Sequence, residues 1–190
     1  MHAENSSAWV RRFAPLIRSG GRALDVAAGA GRHTRLLLDM GLSVTAVDRN
    51  VEGLQSFAGR RCDIRALDLE TGDPDSVLAH FGGMYDGIVV TNYLHRPLLQ
   101  PLAAALASGG VLIYETFMIG NERFGRPRNP DFLLGPGELL AAFADLTVAA
   151  FEQGEVARPR PAMMQRITAI AGPVGRVPDA PLAERNRGLE

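Results

Sequence analysis

The 190-residue sequence has a single cysteine, Cys62, and no lysine, so that all 20 of its basic residues are arginine. One cysteine cannot form an internal disulfide or a cysteine-cluster metal site. The four histidines show no metal-ligand spacing, and no metal site is predicted. The absence of lysine excludes chemistry that proceeds through a lysine Schiff base or a lysine nucleophile.

Long apolar runs and an excess of positive charge are missing as well. No run of about 18 apolar residues is present, so a membrane span is not expected. The start of the chain has no basic segment followed by an apolar core, which argues against a signal peptide. The net charge of −1 argues against a dedicated nucleic-acid binder. Together these features predict a cytoplasmic protein that acts on neither membranes nor nucleic acid.

Short apolar strands alternate with helices through the first 117 residues. This order predicts an α/β fold with a doubly wound, mainly parallel sheet and helices on both faces. Two further apolar stretches lie near the end with no helix between them, so they pair antiparallel or sit apart. The predicted strands cover residues 23–27, 42–47, 62–69, 85–91, 111–117, 146–151 and 163–171. Residues 1–171 are predicted to form one domain, and residues 172–190 a poorly ordered tail.

The connections between strands carry their own signals. Ser6 or Ser7 can cap a first helix, Asp73-Pro74 is typical of a helix start, and residues 97–107 are predicted as a helix that ends at Gly109-Gly110. The stretch 120–137 is rich in glycine and proline and is too long for a simple connection. Because it follows the fifth strand, we expect it to close over a ligand; a static surface loop is the alternative.

The sharpest motif is the glycine turn Asp25-Val26-Ala27-Ala28-Gly29-Ala30-Gly31, which joins a strand to a helix. Glycine is needed where a ligand approaches the backbone closely, because a Cβ atom would clash there. The start of the helix adds free N–H groups and a positive partial charge. A turn with two glycines is also common in proteins without a ligand, so the motif needs support from other residues.

Acidic residues at two strand ends supply that support. Asp48 ends the second strand, where a carboxylate can accept hydrogen bonds from ribose hydroxyls. Asp68 closes the third strand and can accept from an adenine amino group. A helix cap for Asp48 and a plain surface position for Asp68 are the alternatives. Thr34 stands where the dinucleotide fingerprint has its third glycine or alanine, which weakens a nicotinamide dinucleotide.

These residues resemble the first motifs of the class I S-adenosylmethionine-dependent methyltransferases. The glycine turn through Thr34 is similar to their first motif, with Ala27 where many members have the first glycine. Asp48 and Asp68 fall at their ribose and adenine positions, and Asn92 at the end of their fourth strand. The resemblance implies a seven-stranded sheet with an antiparallel last strand. It also implies S-adenosyl-L-methionine as cofactor, held by Asp25, Ala27, Gly29, Gly31, Asp48, Arg49, Asp68, Leu69 and Asn92.

The acceptor side of the site is less defined. His95 and Tyr93 follow the fourth strand, and Glu115 ends the fifth, which makes these three the catalytic candidates. His95 has a reference pKa that suits a general base at neutral pH, although a structural histidine at a helix start is the alternative. Four arginines near this edge could bind an anionic acceptor, namely Arg96, Arg123, Arg126 and Arg128. The last three could instead pair with Glu115.

The function that this sequence predicts is methyl transfer from S-adenosylmethionine to a small molecule. Within the family, the chain resembles the compact members that act on small molecules, such as those of the tellurite-resistance type. Residues 92–95 lack the N-P-P-Y pattern that is typical of methylation of nucleic-acid bases or glutamine. An NAD(P)-dependent oxidoreductase and a non-catalytic cofactor-binding subunit of the same fold are the alternatives. The acceptor and the oligomeric state are not predicted.

Overall fold

The computed structural model describes residues 6–71, 81, 83–157 and 159–172, and within them one sheet with helices on both faces. Its α-helices are α1 (Ala8–Phe13), α2 (Arg32–Asp39), α3 (Leu99–Ala104) and α4 (Glu138–Ala142). Its strands are β1 (Arg22–Val26), β2 (Ser43–Asp48), β3 (Cys62–Ala66), β4 (Tyr85–Thr91), β5 (Leu106–Phe117), β6 (Thr147–Val156) and β7 (Ala162–Ile170). The helix predicted at Asp73-Pro74 and the predicted tail after residue 172 lie outside the described residues.

The seven strands form one sheet in the order β3-β2-β1-β4-β5-β7-β6. Strands β1 to β5 are mutually parallel, and β7 pairs antiparallel with both β5 and β6. Six strands therefore run one way and β7 runs the other way. The prediction of a mainly parallel, seven-stranded sheet with a reversed last strand is confirmed.

Alternate residues of the central strands enter two separate apolar layers. On one face Val89, Ile113 and their neighbours pack against α1 and α2 through Trp9, Phe13 and Leu37. On the other face Ile88 and Leu112 belong to a layer that includes Leu102 of α3 and Leu139 of α4, with Leu98 just before α3 and Phe143 just after α4. This is the burial expected for strands covered on both sides. None of the described helices is long and apolar enough to cross a membrane.

The observed helix and strand boundaries differ from the predicted ones between β4 and β5. The predicted helix 97–107 is a 3₁₀ turn at Arg96–Leu98 followed by α3, which ends at Ala104. β5 then begins at Leu106, five residues earlier than predicted, because Leu106 pairs with Tyr85 and the register shifts before Val111. Gly109 and Gly110 therefore lie in an irregular part of the strand and are not a helix stop.

The stretch 120–137 is an ordered connection and α4 follows it, a helix that the sequence reading missed. Two 3₁₀ turns lie in it, at Asn121–Arg123 and Pro130–Phe132. A bridge between Met118 and Leu134 returns the chain to the sheet, where Leu134 is fully buried. The segment thus starts and ends at the carboxyl edge of β5.

Candidate functional site

A cleft of about 440 Å³ opens at the carboxyl ends of the parallel strands. This is the edge at which open α/β sheets bind ligands. The volume lies within the range of small-molecule sites, about 300–1,000 Å³. The cleft is lined by Ala27, Asp48, Arg49, Leu67, Asp68, Leu69, Glu70, Tyr93 and Phe132.

The glycine turn borders this cleft, and its two glycines have different roles. Gly29 has a φ of +56°, and a Cβ atom there would meet no heavy atom within 4 Å, so space is free above it. Gly31 has a φ of +77°, and a Cβ atom there would overlap the ring of Phe57 and lie 2.9 Å from Leu54 Cδ2. Gly29 is the glycine that leaves room for a ligand, whereas Gly31 lets the turn pack against its neighbours.

The Asp48 carboxylate holds the turn from the end of β2. Its Oδ2 accepts the Gly29 N–H at 2.7 Å, and its Oδ1 accepts the Asn50 N–H at 2.9 Å. A carboxylate has about four acceptor sites, so each oxygen can accept a further hydrogen bond. Asp48 also lines the cleft and is only half-buried. These two hydrogen bonds fix the orientation of the carboxylate while it still faces the cleft.

Asp25 supports the turn from below and does not line the cleft. It is 2% exposed, and the Thr34 hydroxyl donates to its Oδ2 at 2.6 Å. Burial raises the Asp25 pKa to about 6, against the lowering effect of the Thr34 hydrogen bonds. Thr34 thus has a structural role that the sequence reading did not assign. The geometry supports Asp25 as the organiser of the turn, and its contact to a cofactor amino group stays a prediction.

The third acidic position lies beyond β3. The strand ends at Ala66 and not at Leu69 as predicted. The next residue, Leu67, still donates its N–H to the Asp48 carbonyl. Asp68 and Leu69 therefore stand in the connection, where both line the cleft. Glu70 joins them, a residue that the same argument from strand ends could have found. Within the cleft lining, Arg49 is the one cation among the described residues.

Two residues that are not glycine adopt a left-handed backbone at this edge. Ala27 after β1 has a φ of +52°, and Asn92 after β4 has a φ of +55°. Asparagine tolerates this conformation, whereas alanine is strained in it by about 1–2 kcal/mol. Such strain concentrates at ligand sites. β1 and β4 are neighbouring strands, so both left-handed positions lie at one place on the edge.

Tyr93 is the catalytic candidate that reaches the cleft. Its carbonyl accepts a hydrogen bond from the Tyr114 hydroxyl at 2.9 Å, which fixes the backbone. Its own hydroxyl is shielded from solvent and has no hydrogen-bond partner among the described residues. A buried unpaired polar group costs about 1–3 kcal/mol. Burial, with a smaller contribution from Glu70 and Asp68, raises the Tyr93 pKa, so the phenol stays protonated at neutral pH.

The other two catalytic candidates do not line the cleft. His95 precedes the 3₁₀ turn after β4 and is half-buried, and its carbonyl accepts from Leu98 N–H. Glu115 is 5% exposed, and its Oε2 lies 3.1 Å from Arg166 Nε on β7. The expected pairing of Glu115 with Arg123, Arg126 or Arg128 is therefore wrong, because Arg166 stands directly opposite Glu115 in the β5–β7 register.

The Arg96 guanidinium is engaged by groups of the protein itself. Its Nε and Nη2 donate to the two carboxylate oxygens of Glu138 at 2.7 and 3.0 Å. Its Nη1 and Nη2 also donate to the carbonyls of Asp131 and Leu133. Burial alone would raise the Glu138 pKa, but the hydrogen bonds from Arg96 and from Gly135 N–H lower it. Arg96 is thus a clamp between the end of β4 and the segment after β5.

Two further amide side chains fasten the segment 120–137. The Asn121 Nδ2 donates to the Pro127 carbonyl at 3.2 Å, and its Oδ1 accepts from Met163 N–H at 3.2 Å. The fully buried Gln165 donates to the Gly135 carbonyl and accepts from Leu139 N–H. Of the two exposed phenylalanine rings in this segment, Phe132 lines the cleft and Phe124 does not. Closure over an acceptor stays a prediction.

His33 links the first helix to the same edge. Its Nε2 accepts the Ser7 N–H at 3.1 Å, and its Nδ1 lies 3.2 Å from Thr91 Oγ1. Ser7 caps α1 by accepting from Trp9 and Val10 N–H. Burial, with smaller effects of Arg32 and Arg11, lowers the His33 pKa to about 3. These contacts give His33 a structural role.

Comparisons with known proteins agree with this architecture. No protein-family model and no curated protein matches the sequence. TehB from Haemophilus influenzae is similar in structure, with a TM-score of 0.68 and 19% identity over 88% of this chain and 64% of that chain. The chain therefore spans less than two thirds of that TehB.

Two smaller proteins are matched over more of their length. The 1,6-didemethyltoxoflavin-N1-methyltransferase of Burkholderia thailandensis gives a TM-score of 0.60 and 24% identity over 87% of this chain and 77% of that chain. A TehB-like SAM-dependent methyltransferase from Corynebacterium glutamicum gives a TM-score of 0.62 and 16% identity over 90% of this chain and 91% of that chain. The chain has the fold of the class I methyltransferases, as the resemblance of its sequence implied.

Proposed function

We propose that this protein is an S-adenosylmethionine-dependent methyltransferase that acts on a small molecule. The observation that carries the proposal is the Asp48 carboxylate, oriented by the Gly29 and Asn50 N–H groups while it faces the cleft. An acid held in this way at the end of the second strand is suited to the two hydroxyls of a ribose. The similar protein of Burkholderia thailandensis, whose structure holds S-adenosylhomocysteine, supports the same choice of cofactor.

The residues present fit the cofactor. The space above Gly29 admits a ligand against the backbone, and a side chain there would fill it. Ala27, Asp48, Arg49, Asp68 and Leu69, all expected to hold the cofactor, line one cleft. Asp25 and Gly31 act from behind, by fixing the turn, and Asn92 is exposed at the adjoining strand end.

When bound, S-adenosylmethionine supplies a methyl group that its sulfonium charge has already activated. The chain then has to hold an acceptor in line with that group and to exclude water, which is catalysis by proximity and orientation. Four cleft residues are not expected to hold the cofactor, namely Leu67, Glu70, Tyr93 and Phe132, and we assign the two rings, Tyr93 and Phe132, to the acceptor side. Because the Tyr93 phenol stays protonated, it positions the acceptor and is not its general base.

Titration calorimetry with S-adenosylhomocysteine tests the cofactor site. Asp48→Ala removes hydrogen bonds to a charged group, each worth about 1.5–3 kcal/mol, so binding weakens by at least about tenfold. Asp48→Asn keeps one acceptor for the Gly29 N–H and separates loss of charge from collapse of the turn. Asp145→Ala, an exposed acid before β6, is the control. Unchanged affinity in a folded Asp48→Ala protein would remove the assignment.

The same titration separates the alternative functions. Binding of NADH in place of S-adenosylhomocysteine would favour the oxidoreductase. Binding of the methyl donor without product from any acceptor class would favour a non-catalytic subunit. We expect binding of S-adenosylhomocysteine, no binding of NADH, and methyl transfer to a small molecule.

A further inference from the structure

The charges that face the cleft are mostly negative. Asp48, Asp68 and Glu70 line it together with one guanidinium, that of Arg49. Ribose hydroxyls and an adenine amino group are uncharged, so binding them leaves the carboxylate charges in place, and S-adenosylhomocysteine lacks the sulfonium charge of the methyl donor. Glu70 is not among the residues assigned to the cofactor. The field in the cleft therefore repels an anion and attracts a cation.

Two of the arginines expected near an anionic acceptor, Arg96 and Arg123, contact other groups of the protein. Arg96 is bound to Glu138 and to two carbonyls. Arg123 donates to the Gly120 carbonyl, stacks on Phe124 and lies 4.0 Å from Glu155. Neither arginine is among the described residues that line the cleft. The contacts of Arg96 and Arg123 therefore hold both guanidinium groups outside the cleft lining.

The segment after β5 exposes three large apolar side chains, and one of them reaches the cleft. Ile119 is 50% exposed, Phe124 37% and Phe132 45%. Phe132 lines the cleft together with Leu67 and Leu69. Beside them the Tyr93 hydroxyl lacks a hydrogen-bond partner among the described residues. A ligand with a ring or apolar chain would pack against Phe132, and one polar hydrogen on it would pair with the Tyr93 hydroxyl oxygen.

We propose that the acceptor is an apolar amine, bound with its apolar part against Phe132 and its nitrogen near Tyr93 and Glu70. This inference rests on the proposed methyl transfer. The bound ammonium first loses one proton to water, and the neutral nitrogen then donates its lone pair to the methyl carbon and forms a carbon–nitrogen bond. The carbon–sulfur bond breaks with its electron pair left on sulfur, which leaves a neutral thioether and an N-methylammonium product. The carboxylates favour the approach of the amine as a cation and stabilise the positive charge of the product.

Three probes of one size test the charge preference in protein saturated with S-adenosylhomocysteine. Phenethylamine, 2-phenylethanol and 3-phenylpropionate share a ring and differ in charge. Their affinities are measured by ligand-observed NMR at constant ionic strength. We expect the amine to bind about tenfold more tightly than the carboxylate, with the alcohol between them. Equal binding, tightest binding of the carboxylate, or no binding of any probe would overturn the proposal.

Matched variants locate the preference. Glu70→Gln should reduce the advantage of the amine over the alcohol by about threefold, whereas Asp145→Asn, with the same charge change at the opposite edge of the sheet, should not. Phe132→Ala should weaken all probes, whereas Phe124→Ala, in the same segment but outside the cleft lining, should weaken none. An undiminished amine preference in Glu70→Gln would contradict the proposal. Failure of S-adenosylhomocysteine itself to bind would instead overturn the proposed function and this inference with it.

Discussion

The two halves of the carboxyl edge are built by different means. The half after β1, β2 and β3 uses short connections, and backbone N–H groups meet carboxylates close by, as Gly29 meets Asp48. The half after β4 and β5 uses a long segment fastened by distant side chains, such as Arg96 and Gln165. The first half is therefore set by local sequence and the second by tertiary contacts. Four predictions test this difference, from the largest expected effect to the smallest.

The two glycines of the turn should respond differently to the same small change. Gly31→Ala combines a strained φ with overlap of Phe57 and Leu54, so we expect a loss of about 3 kcal/mol in the free energy of unfolding. Gly29→Ala carries strain alone and should lose about 1 kcal/mol, yet it should weaken binding of S-adenosylhomocysteine more strongly. Urea unfolding and calorimetry measure both. Similar stability loss in the two variants would mean that the turn is not packed as described.

The buried carboxyl below the turn should make stability depend on pH. The Asp25 pKa is raised from 3.8 to about 6 in the folded state. The folded protein thus binds more protons than the unfolded chain between these values, and the contribution of Asp25 to stability is greatest below pH 3.8. As the pH rises to 6 that contribution falls by at most about 3 kcal/mol.

Asp25→Asn should remove this dependence, because asparagine does not titrate and its oxygen can still accept from Thr34. The measurement is urea unfolding of both proteins at half-unit steps from pH 4 to 6.5. We expect the stability of the natural protein to decline relative to the variant over this window. A constant difference between the two proteins would show that Asp25 is charged throughout.

Loss of the Arg96 clamp should loosen the second half and spare the first. In Arg96→Met the Glu138 carboxylate and two carbonyls lose their donors. Because Arg96 is about 43% exposed, solvent screens the pair, and we expect a loss of about 1 kcal/mol. Hydrogen exchange should rise in residues 130–138 and stay unchanged in residues 27–31. Faster exchange in both regions would show that the two halves are coupled.

The smallest effect concerns the strained alanine of the turn. Ala27→Gly relieves the left-handed backbone at φ +52°, although glycine adds freedom to the unfolded chain. We expect a net gain of about 0.5–1 kcal/mol in the free energy of unfolding, read from thermal and urea unfolding. The affinity for S-adenosylhomocysteine should stay within about twofold. A loss of stability would mean that the Ala27 methyl group packs in a way that offsets its strain.

The first half was predictable because its signals are local. The glycine turn, Asp48 and Asp68 were assigned from their places at strand ends, and they line or border one cleft. β4 was predicted to the residue, since a run of apolar residues between turn signals has clear ends. Asp25 was placed in the turn, but its complete burial depends on packing by Thr34 and the sheet.

The second half escaped prediction because its contacts join residues far apart in the chain. The partner of Glu115 is Arg166, 51 positions later, which only the β5–β7 register brings opposite. The engagement of Arg96 by Glu138 likewise depends on α4, a five-residue helix with too short a pattern to recognise. Charge in the sequence suggested an anion site, but tertiary contacts engage Arg96 and Arg123 with other groups of the protein.

The contacts of His33 give the hydrogen-bond chain beside the cleft a direction. A backbone N–H can only donate, so the Ser7 N–H fixes Nε2 as the acceptor and leaves the ring proton on Nδ1. That proton is donated to Thr91 Oγ1, which also accepts from Arg32 Nη2 at 3.4 Å. With both acceptor sites of its oxygen used, Thr91 keeps its own hydroxyl proton to donate. The hydrogen-bond chain that begins at the cap of α1 thus ends as a donor at the end of β4, one residue before the left-handed Asn92.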